Sequence, residues 1–193
     1  MPALTDEQRA IRATFIGGSD APSICGVNPW RSAHDVYLDK IGQGKPVIEN
    51  EAMYWGTAHE ATIATRYSEV TGRTLLVRPD TILHPRYPYI GCHLDRSQRD
   101  HHIAQGREGV VEIKTTRKYL KKGECPDSYQ VQLYHNMLCT GTTWGTVVIL
   151  IQGSEMVWYD YHLTPQIESS ILTLEARFWK AVTERKWEVF GCM

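Results

Sequence analysis

Gly109-Val110-Val111-Glu112-Ile113-Lys114-Thr115-Thr116 sets an acid and a base two residues apart within a run of Val, Ile and Thr. That β-branched density predicts a strand over 108–116, buried on at least one face. Side chains alternate along a strand, so Glu112 and Lys114 share one face while Val111, Ile113 and Thr115 share the other. Charges inside a buried element are costly unless paired or put to use. The pair reads either as a cross-strand ion pair on a wet sheet face or as part of a chemical site.

Upstream, Tyr89-Ile90-Gly91-Cys92-His93-Leu94-Asp95-Arg96 is a second strand-like run that ends on a carboxylate. The polar segment from Arg96 to Glu108, punctuated by Gly106 and Gly109, reads as a generous hairpin loop between the two strands. Asp95 and Glu112 would then lie on neighbouring strands, close enough to share a cation. Mg²⁺ takes octahedral oxygen ligands, commonly one or two carboxylates plus waters. Asp95, Glu112 and the backbone carbonyl of Ile113 are the expected protein donors. Lys114 would stand beside the attacking water, to orient it or to help remove its proton. This D…E-x-K arrangement suits metal-dependent phosphodiester cleavage, although the motif alone recurs by chance.

Outward from this pair, the pattern predicts helices first, then strands, a helix, more strands and a last helix. A capping box of Thr5 and Gln8 opens a helix to about Thr14, and Gly17-Gly18-Ser19-Asp20 opens a short second one. Ser32 caps a third helix from Ala33 to Ile41, and Asn50 opens a long fourth to about Val70, closed by Gly72. Strands follow near 73–78, 81–84, 89–96 and 108–116. Pro126-Asp127-Ser128 starts a helix to about Thr140. Trp144 to Ile151 and Met156 to Leu163 form a hairpin, and Thr164-Pro165 caps the final helix, to about Lys186. The expectation is a single domain over 1–193 of α/β (α+β-like) class, with one central mixed sheet flanked by helices.

Composition bounds the partners. At 193 residues, with 42% apolar and 22% charged residues, this is an ordinary globular chain. No apolar run reaches membrane-spanning length and the start lacks a signal-peptide pattern, so a cytoplasmic location is expected. Five scattered cysteines without a C-x-x-C spacing argue against disulfides, zinc and iron–sulfur clusters. A net charge of −1 is unusual for a polyanion binder. Its distribution is not: Lys114, Arg117, Lys118, Lys121 and Lys122 follow one another without an acid between them. That run is either a solvated loop or a DNA-binding surface beside the E-x-K strand.

Two helices place a polar residue on an apolar face. Glu60 shares a face with Met53, Ile63, Ala64 and Tyr67, and reads as a stripe-edge residue or as a carboxylate of a metal site. Gln130 shares a face with Leu133, Tyr134, Met137 and Leu138, and would cap a sheet edge or reach the site. In the glycine turn, Ser19 is a plain helix cap or part of a phosphate pocket that Arg12 completes with its guanidinium fork. His59, His93, His101 and His102 are spaced unlike zinc ligands.

Together these residues resemble the lambda exonuclease family, the YqaJ-like viral recombinase nucleases of the PD-(D/E)XK superfamily. The resemblance runs through Arg12, Gly17-Gly18-Ser19-Asp20, Trp55-Gly56-Thr57-Ala58-His59-Glu60, Asp95, Glu112-Ile113-Lys114 and Tyr129-Gln130-Val131-Gln132, over roughly residues 8 to 150. It implies the restriction-endonuclease-like fold of that superfamily. Leu94 stands where the superfamily name has Pro, and Arg96 where relatives often have Gly, which bears on the local turn.

By this resemblance Asp95 and Glu112 are metal ligands with the Ile113 carbonyl, and Glu60 supports a second ion directly or through water. Lys114 positions the attacking water, Gln130 is a polar partner of the site, and Arg12 with Ser19 receives a 5′ phosphate. The implied activity is Mg²⁺-dependent 5′-to-3′ hydrolysis of one strand at a double-stranded DNA end, with one or two ions and Mn²⁺ as a substitute. A homotrimeric ring and a single-strand-annealing protein are the implied partners; a ring would confine positive surface to its channel. The competing readings are another endonuclease or repair nuclease of the same fold, and an inactive DNA-end-binding module.

Overall fold

The computed structural model describes residues 6–45, 48–100, 108–121 and 123–191, with side chains from residue 10 onward. Along the chain run α1 (Asp6–Ala13), α2 (Ala21–Ile24), α3 (Ala33–Lys40), α4 (Glu51–Thr71), β1 (Thr74–Leu76), β2 (Ile82–Leu83) and β3 (Gly91–Cys92). Then come β4 (Arg96–Arg99), β5 (Glu108–Thr116), α5 (Asp127–Thr140), β6 (Trp144–Ile151), β7 (Glu155–His162), α6 (Pro165–Glu184) and α7 (Glu188–Gly191). The main sheet has the order β1-β4-β5-β6-β7, and β2 with β3 makes a separate ribbon. β5 and β6 are parallel and the other main-sheet pairs antiparallel, so the sheet is mixed.

β5 lies at the centre, which is why its sequence is apolar on both faces. Val111 and Ile113 pack with Val148 against Ile63, Ala64 and Tyr67 of α4. Val110 on the other face packs with Val147 and Ile149 against Leu133 and Met137 of α5. A parallel pair needs a crossover, and α5 supplies it between β5 and β6. A third cluster joins Ile24 of α2, Val36 and Tyr37 of α3, and Phe178 and Val182 of α6, with Trp187 and Phe190 against it. The residues after α6 therefore complete a core of this chain.

The caps act as their side chains dictate. Ser32 and Asp35 form a reciprocal capping box, Asn50 accepts from the Met53 amide, and Thr164 from the Ile167 amide. Gly72 and Gly141 end α4 and α5 in the left-handed conformation. The proposed Thr5–Gln8 box lies outside the described residues.

The expected strand over 89–96 is instead two short strands with a bend at Asp95, and the expected loop after it begins with β4. β4 reads Arg-Ser-Gln-Arg, and its polarity hides it in sequence. Its Gln98 is fully buried and donates to Thr146 Oγ1 at 2.7 Å, while the Tyr67 hydroxyl donates to Gln98 Oε1 at 3.0 Å. Arg73 closes this network with Asp160 and Asp100, each at 2.7 Å. The final helix stops at Glu184, and a further turn, α7, follows it.

Candidate active site

Three polar side chains meet around the open end of β4. Asp95 lies one step beyond the last β4–β5 pair, Arg96 with Val111, and so faces Glu112. Its Oδ2 accepts the Ile113 amide at 2.7 Å. The amide and carbonyl of one strand residue leave on the same edge. The Ile113 carbonyl therefore points toward Asp95, past the end of β4, with no β4 residue opposite it.

Glu112 is only 1% exposed, which rules out the wet-face reading. Lys114 Nζ meets Glu112 Oε1 at 2.6 Å, and Asn136 Nδ2 of α5 donates to Oε2 at 2.8 Å. The Lys114 ammonium also lies 5.8 Å from the centre of the Tyr129 ring. Burial, reinforced by the Asp95 charge, pushes the Glu112 carboxyl up to about 7 despite Lys114. Burial likewise raises Asp95, with Lys114, the Ile113 amide and Arg96 pulling the other way. For Lys114, burial favours the neutral amine, but Glu112 and Asp95 outweigh it and hold the ammonium above its usual range.

Burial makes the ionised form of both carboxyls costly, a cost that a bound cation would offset. Among the described residues no third Asp, Glu, His or Cys joins this pair as a metal-binding group. Two carboxylates and one carbonyl suit a hard ion that keeps several waters, which is the habit of Mg²⁺.

Glu60 approaches from α4, with Oε1 2.7 Å from Arg96 Nη1. Burial raises its carboxyl, as does Asp95, while Arg96 lowers it. Arg96 also donates to the Asp95 carbonyl oxygen. Gln130 is not brought to the carboxylates. Its Nε2 donates instead to the Cys125 carbonyl at 2.8 Å, just ahead of α5.

Arg12 and Ser19 do meet, with Nη2 donating to Oγ at 3.1 Å. They line a cavity of about 380 Å³ together with Phe15, Gly18, His93 and Gln132. Ser19 is not the helix cap: Asp20 occupies that position, and α2 is a single turn. The Asp20 carboxylate accepts the Gly17 amide at 3.1 Å and binds Lys40 at 2.7 Å and Arg31 at 2.9 Å. Burial opposes its charge, yet Lys40 and Arg31 hold the carboxyl below its ordinary value. One donor of the turn is thus consumed internally, and Arg12 and the Ser19 hydroxyl remain the groups facing the cavity. Gly18 connects it to the carboxylates, since a Cβ there would lie 2.4 Å from Asn136 Oδ1.

Arg117, Lys118 and Lys121 are exposed beyond the end of β5, with Lys118 5.4 Å from the centre of the exposed Trp30 ring. Lys122 lies outside the described residues, as do His101 and His102. His59 stacks on Trp55, and His93 shares a 2.7 Å hydrogen bond with the Thr81 hydroxyl. Sequence reasoning passed over Asp20, Asn136 and His135. The run from Leu133 to Cys139 carried a signal, since His135 and Asn136 fall among residues that a helix of this register must bury.

No described helix is long and apolar enough to cross a membrane. The family model of the YqaJ-like viral recombinase domain matches residues 8–143. Protein YqaJ of Bacillus subtilis (strain 168) is 32% identical over 182 residues, which cover 90% of this chain and 55% of that protein. Protein D345L of African swine fever virus is 38% identical over 56 residues, 29% of this chain and 16% of that one. The chain thus spans about half, or less, of the length of these curated relatives. The solved alkaline exonuclease LHK-Exo of Laribacter hongkongensis superposes with a TM-score of 0.76 at 22% identity, over 94% of each chain. A phage-related exonuclease of Haemophilus somnus 129PT gives 0.61 at 8% identity, over 92% of this chain and 99% of that one. At these identities the likeness establishes a shared fold, the mixed five-stranded sheet flanked by helices. Fold and sequence agree, and the chain belongs to the YqaJ-like viral recombinase domain family.

Proposed function

We propose that this protein is a Mg²⁺-dependent exonuclease that hydrolyses one strand of duplex DNA, 5′ to 3′, from a phosphorylated end. The observation that carries the reading is the Asp95–Glu112 pair, with Glu112 buried and Lys114 against it, at the open end of β4. A divalent ion held by Asp95, Glu112 and the Ile113 carbonyl, Mg²⁺ or Mn²⁺ in its place, would supply Lewis-acid activation of water and offset charge on the leaving oxygen. Lys114, kept as an ammonium by Glu112, donates hydrogen bonds; it orients the attacking water or a phosphate oxygen and does not serve as the base. Asn136 fixes the Glu112 carboxylate, so Lys114 is aimed by a partner that is itself held.

Arg12 and Ser19 receive the terminal 5′ phosphate, with Gly18 setting the spacing between that pocket and the carboxylates. Arg117, Lys118, Lys121 and Lys122 follow the DNA backbone. A homotrimeric ring around the duplex and a single-strand-annealing partner extend the reading. Native mass spectrometry tests the ring, and a strictly monomeric yet processive enzyme would sink it.

The decisive experiment uses linear duplex DNA with one 5′-phosphorylated and one 5′-hydroxyl end, incubated with Mg²⁺ and either the protein or Lys114→Ala. Loss of nucleotides from the phosphorylated end, absent in the variant, is expected. Equal attack at both ends would remove the pocket from the reading. Cleavage of closed circular DNA would mark an endonuclease, and tight binding without hydrolysis an end-binding module.

A further inference from the structure

Arg96 is the residue of the site that neither the metal ligands nor the attacking water accounts for. Its side chain is only 16% exposed, and it extends between Glu60 at 2.7 Å and the Asp95 carbonyl oxygen. A guanidinium does not lose its proton in a protein, so this charge is permanent. Asp95 and Glu112 have no third acidic, His or Cys side chain joining them as a donor group among the described residues. Glu60, the carboxylate available for another ion, already has a cation bound to it.

Charge balance points the same way. Three carboxylates (Glu60, Asp95, Glu112) against two cations (Lys114, Arg96) leave one net negative charge. One divalent ion turns this into one net positive charge, which matches the single negative charge of a phosphodiester. A second divalent ion would leave three positive charges, and would sit beside a guanidinium that cannot be neutralised.

We propose that Arg96 holds the place of a second cation. The centre takes one divalent ion, and Glu60 is the counter-ion of Arg96 and not a metal ligand. This rests on the reading of the site as a divalent-metal phosphodiesterase. Arg96 then acts as a positioning residue: it draws Glu60 toward the site and supplies fixed positive charge where a metal would otherwise be recruited.

The test counts ions. Mn²⁺ is titrated into the metal-free full chain by calorimetry, with bound ion quantified independently by electron paramagnetic resonance. One ion per chain is expected for the unmodified protein and for Arg96→Lys, two for Arg96→Gln, and one again when Glu60→Gln is added to Arg96→Gln. Two ions in the unmodified protein, or one in Arg96→Gln, would overturn the assignment while leaving the metal reading intact. No Mn²⁺ bound by the unmodified protein would overturn the metal reading, and this inference with it. Thermal melts confirm that each variant folds; if Arg96→Gln does not, a count of two in the unmodified protein or in Arg96→Lys overturns the proposal and a count of one in both sustains it.

Discussion

Asn136 Nδ2 donates to Glu112 Oε2 at 2.8 Å, and its own buried Oδ1 has no hydrogen-bond partner among the described residues. The amide is therefore held by what surrounds it, and Gly18 is part of that wall. Asn136→Ala should weaken Mn²⁺ affinity about 10- to 100-fold, the usual cost of losing a residue that orients a ligand. Gly18→Ala should do the same from a distance, because the new Cβ displaces Oδ1. Calorimetric titration of both variants decides; wild-type affinity in each would show that Glu112 needs no such support.

Stability without metal should fall with rising pH through the range in which Glu112 ionises. The unfolded carboxyl releases its proton near 4.5 and the folded one near 7, so between these values the folded state binds the extra proton. Raising pH across that window disfavours folding, and a bound cation removes the penalty. Melting temperatures should rise more with Mn²⁺ at pH 7.5 than at pH 5.5. Glu112→Gln should lose the metal response and flatten this part of the profile. A cation response that does not change with pH would contradict the assignment.

His135 lies beside Asn136 and is fully buried between two acceptors, Glu175 Oε1 at 2.6 Å and the Gly91 carbonyl at 2.9 Å. Both ring nitrogens must donate, so the ring is an imidazolium. Burial works against this charge, but Glu175 overcomes it and carries the group up to about 9. The stabilisation is complete below the ordinary value near 6.5 and is lost as pH rises through about 9. Breaking the pair with Glu175→Ala should cost about 3–5 kcal/mol near neutrality. Urea denaturation at pH 6 and pH 9.5 checks both the size and the sign; equal losses at the two values would refute the charged pair.

Local signals were legible and distant ones were not. β5 could be read over 108–116 because β-branched density marks a strand whatever surrounds it. Ser32, Asn50, Thr164 and Gly72 act on backbone groups a few residues away, so their roles were visible as well. β4 was not, because Gln98 belongs in a core only when Tyr67 and Thr146 are there to bond it, and these lie 31 and 48 residues away. Asn136 and His135 meet partners 24 and 40 residues distant. Gln130 shows the converse: its position on α5 suggested the site, while the free Cys125 carbonyl at the start of the helix was the nearer acceptor.

The wide sequence separation of these partners also has a kinetic side. Glu60 finds Arg96 across 36 residues, and Glu112 finds Asn136 only after α5 has folded back over the sheet. The proposed donors Asp95, Glu112 and the Ile113 carbonyl lie on one hairpin, but Asn136, which holds the Glu112 carboxylate, lies outside it. Full affinity for an ion therefore waits until α5 has docked and Asn136 holds Glu112, a late event in folding. A divalent ion should therefore leave the refolding rate unchanged and slow unfolding alone. Mn²⁺ would thus act as a lock on the crossover once it has closed, and on nothing earlier.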